Sequence, residues 1–190
     1  GQHIMKGASD TGRLKPNQGR TNQKLYFARL QLDRLQALLA TREGFAWEAE
    51  ALSCREAVIL HLHGAYLAFL QELVRFYKLA GPLMDSEALR RAMEAKGQVS
   101  PEVTVLQQLE RTPASWLAAL LQAHALCLIA PDPAPAAAPE DEPETAGRAI
   151  SLQAVNRDEP LSAADVDSIQ QWQRELTAII REFRREMAEW

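Results

Sequence analysis

Only two cysteines occur in the 190 residues, Cys54 and Cys127. They stand far apart in apolar helical stretches, which excludes a disulfide-stapled fold and the close spacing of a redox or zinc pair. Both are expected to act as small core residues in a reducing cytoplasm. Glycine and proline are sparse outside the two ends and residues 131–147, and aromatics make up 6% of the chain. Few segments combine β-branched and aromatic residues in strict alternation, so strands have little to form from. No purely apolar run reaches the roughly 20 residues that cross a bilayer as a helix. No basic segment leads into an apolar one as in a signal peptide. We therefore expect no membrane span and no secretion. Chemistry is equally thinly signposted. Ser53, Ser86 and Ser115 stand outside any nucleophile-elbow context, no glycine-rich loop joins a strand to a helix, and no carboxylate pair shares a buried helix face. No cofactor and no metal site is expected, and enzyme motifs are absent.

What is present is helical periodicity. With 47% hydrophobic and 24% charged residues, the chain has the composition of one globular domain. The pattern predicts an all-α bundle of four to five main helices around a long central one. That central helix is Trp47–Ala80, where Val58, Ile59, Leu60 and Leu62 are followed by Leu67, Phe69, Leu70, Leu73 and Val74. Apolar residues on every side mark a buried helix. Before it, residues 1–19 lack an apolar period, open with GQHIM in the manner of a cloning remnant, and are expected to be a flexible leader. Thr21 is the expected cap of a first helix in which Leu25, Ala28, Leu32, Leu35 and Leu39 share a face, widened by Phe27, Leu30 and Leu38. The first two helices should form an antiparallel hairpin, with Gly44 ending the first and Gly81-Pro82 the second. Downstream, Asp85 or Ser86 should cap a short surface helix. Ser100-Pro101 should open another, and residues 113–130 should form a largely buried one.

Residues 131–147 hold five of the ten prolines, five acids and no large apolar side chain. With residues up to 160 they are expected to be a solvated linker, within which 149–155, AISLQAV, is the only docked or strand-like candidate. A last helix should begin at the cap Ser162, with Asp165 completing a short capping box. Its stripe is Ile169, Trp172, Leu176, Ile179, Phe183 and Met187, running on to Trp190, and Arg181, Glu182, Arg184, Arg185 and Glu186 lie on its other side. Such a helix can close its own bundle or exchange with a second copy. The expected function is therefore non-enzymatic: interaction or regulation through self-association or another protein, using Ile169, Leu176, Phe183 and Trp190 or the surface they cover.

Charge and histidines suggest two alternatives. Residues 1–42 carry eight basic residues against two acids, a local charge of +6, although the whole chain is at −4. Arg13, Lys15, Arg20, Lys24 and Arg29 could neutralise phosphates, although Tyr26 and Phe27 are expected in the core. His61 falls in the apolar stripe with Cys54, Val58 and Ala65, and His124 could meet it across the bundle. His63 points elsewhere, because residues two apart on a helix diverge. Arg55 through His61, REAVILH, resembles the arginine–histidine signature of HEPN domains, helical bundles that include metal-independent ribonucleases and toxins. The resemblance implies Arg55 and His61 as a catalytic pair at a dimer cleft, with Glu56 as the polar residue that follows the arginine. Over residues 20–130, RTNQKLYFARLQL and REAVILHLHGAYLAFLQEL resemble a bacterial family of uncharacterised helical proteins. That likeness implies a bacterial cytoplasmic origin and supplies no activity.

Overall fold

A computed structural model describes residues 16–129 and 160–190. The leader before residue 16, the linker and its 149–155 segment lie outside the described residues. Within them the chain forms six helices and no strand, so it is all-α. Helix α1 (Pro16–Thr41) and helix α2 (Trp47–Phe76) come first, followed by α3 (Ser86–Ala95), α4 (Pro101–Arg111), α5 (Trp116–Leu128) and α6 (Ala163–Ala188).

Helix α2 packs against α1, α3, α5 and α6. Val58, Ile59, Leu62, Tyr66, Phe69, Leu70 and Leu73 are all buried along it, on one broad face, while Glu56 and Leu60 are exposed. This is the central helix that the sequence pattern predicts. By length and composition α2 is able to cross a membrane, and 56% of its most apolar stretch is buried inside this bundle. Polar residues interrupt its apolar runs, so none of them alone reaches that length.

The hairpin is antiparallel, as Arg34 pairs with Glu50 at 2.7 Å near its turn while Thr21 meets Glu72 at the far end. Arg42 and Gly44 take left-handed backbone conformations at that turn (φ 52° and 103°). The Arg42 guanidinium then lies over the Trp47 ring, 5.6 Å from its centroid. Two boundaries differ from expectation. Thr21 is inside α1 and buried, because its hydroxyl is committed to Glu72 instead of a cap. Helix α2 stops at Phe76, before Gly81, where the Leu79 amide turns back to the Val74 carbonyl at 2.9 Å and Lys78 goes left-handed. Gly81 serves a different purpose: a Cβ there would stand 2.9 Å from Val74 Cγ1, so only glycine lets the chain return so close to α2.

The later helices start at side-chain caps. Asp85 accepts from the Ala88 amide at 2.7 Å, Ser100 from Val103 at 3.2 Å, Ser115 from Ala118 at 3.0 Å and Ser162 from Asp165 at 3.1 Å. Two buried networks seat α3 and α4 on α2. The Tyr66 hydroxyl donates to Glu110, which also accepts from Ser86 at 2.7 Å, and the Tyr77 hydroxyl donates to Glu102. Burial and the facing Glu110 push the Tyr66 phenol well above its ordinary range, and burial and Glu102 push Tyr77 to about 12. Both are hydrogen-bond donors at every physiological pH.

Helix α6 turns its apolar stripe onto the bundle. Ile169, Trp172, Leu176, Ile180 and Phe183 are buried, and Phe69 stacks on Phe183 with ring centroids 6.0 Å apart. Ile180 fills the place expected for Ile179, which is only partly buried. The same rotation corrects the reading of Arg184, whose side chain is 17% exposed and faces inward. Its Nε and Nη2 donate to the two oxygens of Glu72 at 2.9 and 2.8 Å, and Nη1 donates to Asn22 at 2.9 Å. Thr21 adds a third bond to the same carboxylate at 2.6 Å. One buried carboxylate thereby joins α1, α2 and α6. Removing one partner strands a buried charge, so Arg184→Ala is expected to lower stability by about 3–5 kcal/mol. Arg184→Met combined with Glu72→Met should recover most of that loss, as read from urea unfolding midpoints.

Candidate functional site

Arg55 and Glu56 reach from α2 towards a cleft of about 390 Å³ bounded also by α5 and α6. Leu126 and Cys127 line it from α5, Pro160 precedes α6, and Asp165 and Trp172 come from that helix. Arg55 is engaged in both directions of its fork: Nε donates to Asp165 Oδ2 at 2.7 Å and Nη2 to Oδ1 at 2.9 Å. The two side chains are 20% and 14% exposed. A bidentate pair of this kind fixes orientation as well as charge, so Arg55 anchors the first turn of α6. Asp165 thus does more than sit in a capping box. No local sequence signal connects it to a residue so distant along the chain.

His61 lies on another side of α2, its ring edge-on to Phe27 of α1 with centroids 5.4 Å apart. Burial and the nearby Lys24 charge lower its pKa. The structure therefore places Arg55 towards α6 and His61 towards α1. His124 meets His63 instead of the expected His61: the rings stack at 3.6 Å with planes 8° apart. Burial, and then the His124 ring, hold His63 down at about 4. Cys54 is buried as expected, whereas Cys127 is half-buried at the cleft, and burial raises both thiols. Among the described residues no group of three or more His, Cys, Asp or Glu is placed to hold a metal ion.

The sequence-derived partner stripe divides in two. Ile169, Leu176 and Phe183 fill the chain's own core, while Trp190 is 98% exposed. Contact of the first three with another molecule requires α6 to leave or exchange.

A groove of about 580 Å³ runs between α1 and α6. Tyr26 and Arg29 line it from one side, and Gln173, Arg174, Thr177 and Arg181 from the other. Tyr26 is 60% exposed, contrary to the core position expected of it, because α1 carries more apolar residues than its buried face can take. Of the basic residues singled out in the sequence, Arg29 lines this groove. Arg20 bonds to Gln23, and the Lys24 stem lies against Gly64. Arg13 and Lys15 lie outside the described residues. Sequence reading missed Arg174 and Arg181 because they sit in the last helix, far from the basic N-terminal run.

A family model described as a family of unknown function, DUF6586, matches residues 16–190. The chain belongs to that family. The expected membership of an uncharacterised helical family thus stands. The DUF6586 match also extends past residue 130 to the end of α6, so the last helix is part of the family pattern and not an appendage to it. Comparison with curated proteins and with solved structures gives no match.

The histidine stack generates a pH test. An unfolded histidine takes up its proton near 6.5 and folded His63 only near 4, so between those values the unfolded state binds more protons and stability falls as pH drops. His61 is shifted in the same direction. His63→Phe, which keeps a stacked ring without a titrating group, should lose less melting temperature than the parent chain between pH 7 and pH 5.

Proposed function

We propose that this chain is a non-enzymatic interaction protein that self-associates through the outer face of α5 and the adjoining strip of α2. The observation that carries this reading is the exposure of α5. Of its thirteen residues only Leu117 and Leu120 are fully buried, and Leu126, Leu128 and Ile129 are exposed, Leu128 to 70%. Leu60 of α2, also exposed, lies one turn from both Glu56, which shares the cleft with Leu126, and His63, which stacks on His124. Leu126 and Leu128, two apart, leave α5 on different sides, and Leu60 borders both through Glu56 and His63, so exposed apolar groups flank this junction of two helices.

The chemistry of that surface supports a second copy as the partner. It offers four aliphatic side chains beside a histidine whose depressed pKa keeps it uncharged at neutral pH. Glu56 is a charged side chain at its edge, and under two-fold symmetry the apolar remainder is its own complement. Exposed apolar patches of this kind mark association sites. The reading places the work in a bacterial cytoplasm, which two unpaired cysteines support.

Light scattering over a wide concentration range should give the full chain a mass approaching twice that of the monomer as concentration rises. Leu126→Asp with Leu128→Asp should remain monomeric throughout, with an unchanged helical circular dichroism spectrum. A parent chain that stays monomeric at every concentration would overturn the proposal, as would a double variant that dimerises as well as the parent.

A further inference from the structure

We infer that the groove between α1 and α6 binds single-stranded nucleic acid. The inference stands apart from self-association, since it rests on a different pair of helices. Three features converge there. The first is charge: Arg29, Arg174, Arg181 and Arg184 line the groove and no acid does. Arg184 is neutralised by Glu72, and Arg29 is held by Asp33 at 3.4 Å on the exposed surface, where water screens the pair. Among the described residues Arg174 and Arg181 belong to no ion pair. Seven residues apart on one helix, they stand on the same face, roughly 10 Å from each other. That spacing leaves room for a phosphate at each and a nucleoside between them.

The second feature is Tyr26, which lines the same groove from α1 and is 60% exposed. An aromatic beside a positively charged groove is the arrangement that tracks a single strand, because every base has a face to stack. The third is Gln173, whose Oε1 is buried without a hydrogen-bond partner among the described residues while its Nε2 donates to the Leu25 carbonyl at 3.5 Å. A lone acceptor in a basic groove cannot serve a phosphate. It calls for an N–H donor, which base edges supply. Enclosed as it is, it meets the groove only on rotation about the last side-chain torsion, which exchanges the long Leu25 bond for one to a base.

A duplex would need a helix or ribbon that protrudes into its groove, whereas this surface is concave between two antiparallel helices. An acidic peptide would use the arginines but would give Tyr26 no particular role. The chain's overall charge of −4 sets no obstacle, since a local field governs approach within a Debye length.

Fluorescence anisotropy of the full chain with a short labelled oligothymidylate would test the inference. Affinity should fall as salt rises. Arg174→Gln with Arg181→Gln should weaken binding about tenfold and flatten the log–log salt slope by about 1.4, or about 0.7 for each phosphate released. Tyr26→Ala should also weaken binding and Tyr26→Phe should restore it, while Arg91→Gln, on the exposed face of α3, should change nothing. Absence of binding at low salt would overturn the inference. So would a double arginine variant that binds like the parent, or indifference to Tyr26→Ala with equal binding of heparin, which would make the groove a general polyanion surface.

Discussion

A carboxylate inside a helical core is costly unless every oxygen is answered, and Glu72 of α2 meets that constraint with residues from α1 and α6. Arg184 grips both oxygens, Thr21 adds a hydroxyl, and Asn22 holds the far side of the guanidinium. The apolar contacts around it, Phe69 on Phe183 above all, are plentiful but tolerant of small rotations. The carboxylate is not tolerant. It sets how far α6 is turned about its axis, and therefore that Ile180 goes inward while Arg181 and Arg174 face the groove with α1.

The second clamp, Arg55 on Asp165, acts at the opposite end of the same two helices. Along α2 the two anchors are 17 residues apart and along α6 they are 19; both separations increase together, so the helices run parallel. At about 1.5 Å per residue the clamps are some 26 Å apart. Fixed at both ends, α6 is a wall of the bundle, in keeping with its inclusion in the family match.

How much of this the sequence disclosed depends on the range of each interaction. Ser100 and Ser162 are legible as caps because a cap answers a backbone amide two or three residues away. The burial of α2 is legible because its apolar residues are too many for a narrow stripe, although Leu60 is left exposed. The inward turn of Arg184 and the Arg55 pairing of Asp165 are not legible because their partners lie 112 and 110 positions away. His124 was matched to His61 and meets His63, since α5 is apolar nearly all round and offers no stripe from which to deduce its rotation. The groove was half legible: its N-terminal basic residues stood out, but its other wall is built from a helix that only the fold brings alongside.

Leu126 and Cys127 share one cleft with Pro160. The chain therefore leaves α5 and enters α6 at nearly the same point in space, and a turn of a few residues would close the bundle. The connection is instead thirty residues long, from 130 to 159. For a flexible closure each doubling of length costs only about 0.6 kcal/mol, so the nearness of the two helix ends does not by itself demand a short connection. Two helix ends held this close by their own contacts stay joined across the cleft whatever path the chain takes between them.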